Sequence, residues 1–98
     1  MSKYERFIES ITVLSNEKAD NVLINHTLQA MNNKLGKKRG EGRCGWWECS
    51  KAELWEMVDD HIQRAKNDPH QLIDTINLLA MINFLSYMEQ KELEKQDE

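Results

Sequence analysis

All four glycines of this chain fall within ten residues, at Gly36, Gly40, Gly42 and Gly45, and Pro69 is its only proline. Glycine and proline are the strongest local breakers of regular structure, so punctuation this concentrated leaves long uninterrupted stretches on either side. Charge divides at the same place. Residues 1–33 carry 3 positive and 4 negative side chains, residues 34–43 carry 5 and 1, and residues 44–98 carry 5 and 12. Helices flanking one flexible, basic joint are the architecture this pattern predicts.

The apolar spacing agrees. Tyr4, Phe7, Ile8, Ile11 and Leu14 recur at intervals of three and four, which predicts a first helix over Lys3–Leu14. Ser15 and Asn16 suit the N-cap of a second helix, Asp20 favours its positive end, and Val22, Leu23, Leu28, Met31 and Leu35 supply its apolar positions. Gly36 stands where a C-cap glycine is expected, among Lys34, Lys37 and Lys38. No period is found over residues 36–49, the expected loop. Ser50-Lys51-Ala52-Glu53 fits a capping box and opens a third helix, with Leu54, Val58, Ile62 and Ala65 on one face and Trp55 and Met57 beside them. Asn67-Asp68-Pro69 ends that helix and starts a fourth over Pro69–Lys91, because aspartate caps well and proline suits the first helical position.

The fourth helix has two apolar stripes. Leu72, Ile73, Ile76, Leu79, Ala80, Phe84, Tyr87 and Met88 form the longer, expected to face the core. Leu78, Met81, Ile82 and Leu85 form a second, nearly half a turn away, expected to meet a partner or a second copy of the chain. Residues 92–98 read as a solvated acidic end. The expected fold is therefore all-α, one small domain over residues 1–98: a bundle of about four helices with a Gly-rich basic loop between the second and third.

At 98 residues such a bundle hides about 65% of its extended-chain surface at most, which leaves little room for an enclosed active site. No run of 18 apolar residues occurs, and Met1–Ser10 is polar and mixed in charge, so neither a membrane span nor an export signal is expected. The expected compartment is the cytoplasm, where Cys44 and Cys49 are reduced thiols. With His26, His61 and His70 they invite a zinc site, but no second ligand pair stands at zinc spacing, and neither metal nor cofactor is expected. Glu56, Asp59, Asp60 and Asp74 invite magnesium. Acids on a solvated face are the commoner arrangement, and spacing alone leaves this open.

Lys34–Arg43, followed by Trp46 and Trp47, is the strongest local feature. Cations beside exposed aromatics suit a nucleic-acid strand, although the net charge of −4 opposes unaided binding to DNA. They equally suit a protein partner, because tryptophan and arginine are enriched at interface hot spots. Lys37, Lys38, Arg39, Arg43, Trp46 and Trp47 are the candidate contacts. Trp47 or Trp55 is expected in the core, and Trp46 at the surface.

Gly40-Glu41-Gly42-Arg43-Cys44-Gly45-Trp46-Trp47-Glu48-Cys49-Ser50, Leu54-Trp55-Glu56-Met57, Asp68-Pro69 and Leu72-Ile73-Asp74-Thr75-Ile76-Asn77 resemble small phage proteins related to the MazG-type all-α nucleotide pyrophosphohydrolases, over about half the chain. The resemblance places a carboxylate magnesium site at Asp59, Asp60, Gln63, Gln71 and Asp74. Two of these positions are amides here, and glutamine supplies oxygen without charge, so the expectation is a scaffold without catalysis. From Met1-Ser2-Lys3-Tyr4-Glu5-Arg6-Phe7 through the Cys-Gly-Trp-Trp-Glu-Cys centre to the acidic end, the whole chain resembles the anti-RecBCD proteins of lambdoid phages. That resemblance implies a non-enzymatic protein in the host cytoplasm that binds the RecBCD helicase-nuclease, on its RecC subunit, and alters the response to Chi. It also implies a host prolyl isomerase acting at Pro69. A MazG-like hydrolase and a DNA-binding accessory protein are the alternatives.

Overall fold

The computed structural model describes residues 2–11, 15–43 and 45–96. The fold is all-α, with helices α1 (Lys3–Ile11), α2 (Asn16–Gly40), α3 (Lys51–Ala65) and α4 (His70–Gln96), a single 3-10 turn at Trp46–Glu48, and no strand among the described residues. The chain divides into two compact units, residues 1–30 and 31–98, with the boundary inside α2.

In the first unit both helices begin on serine caps. The Glu5 amide donates to Ser2 Oγ at 3.1 Å, and Ser2 Oγ donates to the Glu5 carboxylate at 3.2 Å. The Lys18 amide donates to Ser15 Oγ at 3.4 Å, the cap expected from sequence. Tyr4, Phe7, Ile8, Val22, Leu23 and Leu28 are exposed. Leu14, expected on the first stripe, lies outside the described residues, as does Cys44.

In the second unit α3 and α4 form a hairpin. Ser50 Oγ accepts from the Glu53 amide at 3.1 Å, and Asp68 Oδ1 accepts from the His70 amide at 3.1 Å, so both expected starts are capped. The core is Leu54 and Val58 of α3 against Leu78 and Ile82 of α4, with Cys49, Met81 and Leu85 packed on it. Leu54 and Val58 are each only 1% exposed.

This reverses the expected roles of the two stripes on α4. Leu78, Met81, Ile82 and Leu85 form the core seam, whereas Leu72, Leu79, Phe84, Tyr87 and Met88 are exposed. The reason lies at the front of the seam. Positions 74, 77, 78, 81, 82 and 85 follow helical spacing throughout, but the first two are Asp74 and Asn77, both buried. A stripe sought by apolarity therefore starts a turn too late.

Helix α2 also runs past its expected stop. Gly36 and Gly40 are helical, and the terminator is Gly42, with φ of +84°. The Arg43 amide donates to the Lys38 carbonyl at 2.8 Å and the Gly42 amide to the Arg39 carbonyl at 3.0 Å, the paired bonds of a Schellman ending. Extending the helix keeps Lys34 and Lys38 on one face, and both lysines reach Asp74. Gly45, also at φ +84°, then turns the chain into Trp46–Glu48.

A candidate interaction groove on the second unit

Asp74 anchors the site. It is 6% exposed, with the Lys38 ammonium 3.2 Å from Oδ1 and the Lys34 ammonium 3.7 Å from Oδ2. Oδ1 has no aligned hydrogen-bond donor, so its contact with Lys38 is Coulombic. Asn77, one turn along, is 3% exposed and donates through Nδ2 to the Met31 carbonyl at 3.5 Å, which leaves its Oδ1 buried without a partner. These buried polar groups tie α4 to the last turns of α2.

Above them opens a groove of about 540 Å³. Its floor is aliphatic and thioether: Leu35, Leu54, Met57, Leu78 and Met81. Its rim is cationic, formed by Lys38, Arg39, Arg43 and Arg64, and Trp46 and Trp47 complete the wall. Trp46 is half-buried and holds the wall in place, its ring meeting Phe84 edge-on at 5.9 Å and Trp47 at 5.8 Å. Trp47 is 60% exposed and Trp55 49%. The expected assignments are thus exchanged: Trp46 packs, and Trp47 and Trp55 face solvent. The Gly45 turn decides this by aiming the first tryptophan at Phe84.

Of the basic contacts expected from sequence, Lys38, Arg39 and Arg43 line the groove, whereas Lys37 is exposed outside it. Pro69 is exposed in the turn between α3 and α4, away from the lining. Met57, His61 and Arg64 also line the groove and are not among the candidate partner contacts, His61 entering the sequence reading only for zinc. Their spacing of four and three residues places them on one face of α3, which was a legible signal. His61 Nδ1 lies 2.8 Å from the Met57 carbonyl.

The carboxylates do not assemble a magnesium site. Asp59 and Asp60 are exposed, and Asp60 pairs with Arg64 at 2.8 Å. Gln63 is exposed, and the Gln71 carbonyl accepts from Thr75 Oγ1 at 3.1 Å. Asp74 faces two ammonium groups. Among the described residues no group of three or more His, Cys, Asp or Glu side chains could hold a metal ion. A divalent cation at Asp74 would have to displace both lysines, so the residues present do not fit one.

Among the described residues no helix is long and apolar enough to cross a membrane. Comparison of the chain with family models, curated proteins and solved structures gives no match.

Proposed function

We propose that this chain is a non-enzymatic phage protein of the host cytoplasm that binds RecBCD, on its RecC subunit, and alters nuclease activity and the response to Chi. The observation that carries the interaction role is the groove. Exposed Trp47 and the guanidinium groups of Arg39, Arg43 and Arg64 gather over an open apolar floor, more recognition surface than a small helical fold requires. The choice of partner rests on the resemblance of the whole chain to the anti-RecBCD proteins. The lysine-neutralised Asp74 and the amides Gln63 and Gln71 argue for a scaffold without hydrolysis. Exposed Pro69 is accessible to a prolyl isomerase.

The deciding experiment mixes the full chain with purified RecBCD and measures co-elution and Chi-dependent cutting of linear DNA. Co-elution with a changed cutting pattern is expected. Absence of binding at about micromolar concentration overturns the proposal. Trp47→Ala should weaken association about tenfold with helicity unchanged, as for an exposed hot-spot aromatic. A change in Chi response through conformation requires unequal affinity for two states of the enzyme. One observation favours a second reading, direct contact with DNA: the cationic rim. Its signature is affinity falling steeply with salt.

A further inference from the structure

The geometry points to a particular occupant for the groove: an acidic segment of a partner protein that seats an aliphatic side chain on the floor and sets carboxylates against the rim. This deepens the RecBCD proposal by stating the chemistry of the segment recognised, and it rests on that proposal for the identity of the partner.

Charge selects the sign of the occupant. Arg39 has no acidic partner within ion-pair distance among the described residues, and Arg43 has only Glu41, at 4.0 Å on the exposed surface. Arg64 is held by Asp60, but that pair is itself exposed and exchangeable. The one carboxylate in the lining, Asp74, is already compensated by Lys34 and Lys38. A positive rim thus surrounds an opening whose interior negative charge is covered, and like-charged occupants are disfavoured while carboxylates are steered in.

The floor selects a peptide over a nucleic-acid strand. Leucine and methionine side chains form it, and Met57 and Met81 can repack around a branched aliphatic group. Successive bases need successive aromatic platforms, whereas here Trp46 is engaged with Phe84 and Trp47, which leaves exposed Trp47 as the single platform in the lining.

The test titrates the full chain with a short blocked peptide of leucines flanked by glutamates, with the same peptide carrying lysines in place of glutamates, and with a thymidine oligonucleotide. Binding is read from the tryptophan indole signals in NMR spectra. The glutamate peptide should bind about tenfold more tightly than the lysine peptide, and Arg39→Glu with Arg43→Glu should remove that preference, whereas Lys37→Glu, outside the groove, should retain it. Met81→Trp, which fills the floor, should abolish binding of the glutamate peptide with far-UV helicity retained. Equal binding of both peptides, no binding of either, or tighter binding of the oligonucleotide overturns the assignment. RecBCD co-elution by a chain that takes no acidic peptide removes this assignment alone. Peptide binding without co-elution supports it and removes the RecBCD partnership.

Discussion

Asp74 is the residue on which the second unit turns, because a carboxylate this buried is tolerated only when its charge is answered. Lys34 and Lys38 answer it from two positions one helical turn apart on α2. Removing both, as Lys34→Met with Lys38→Met, should destabilise the fold by about 3 kcal/mol, since one partner of a buried pair is then left uncompensated. Adding Asp74→Asn to that variant should recover most of the loss. Denaturant midpoints of the three proteins check the sign, and failure of Asp74→Asn to rescue would mean that the lysines act through packing of their stems. A different mechanism governs Leu54, buried in the core between α3 and α4: Leu54→Ala should cost about 2–5 kcal/mol through lost burial and the cavity left behind. Ile76, on the stripe first expected to be the core, is only half-buried and should cost less when replaced by alanine.

Helix ends were legible from sequence wherever a side chain makes the cap. Ser15, Ser50 and Asp68 each accept the backbone hydrogen bond their positions implied. Helix faces were less legible, because burial on α4 follows a line whose first members are polar. Asp74 and Asn77 belong to the seam only through groups on α2, a long-range dependence that local periodicity does not encode. The end of α2 was misplaced for a related reason. Gly36 and Gly42 are both plausible stops, and the reach of Lys38 to Asp74 selects the later one. Opposite responses to the same substitution follow. Gly36→Ala should stabilise by about 0.5–1 kcal/mol, since the position is helical and the added methyl meets only the Arg39 guanidinium at an ordinary 3.5 Å. Gly42→Ala should destabilise by about 1 kcal/mol, because φ is +84° there. Paired thermal melts of the two variants would distinguish a helix ending at Gly42 from one ending at Gly36.

Across the whole molecule, the all-α class and the hairpin of α3 and α4 were readable from spacing and punctuation, and so was the clustering of cations near two tryptophans. The groove itself was not. It needs Leu35 of α2, Met57 and Arg64 of α3 and Met81 of α4 to meet, and those residues share no sequence neighbourhood. The three-way contact around Asp74 has a further consequence. The counter-charge is covalently part of the protein, two lysine ammonium groups on α2, rather than an exchangeable metal ion. Its folding should therefore be indifferent to chelators, because the protein carries its own cations with it: melting temperatures with and without excess EDTA should coincide.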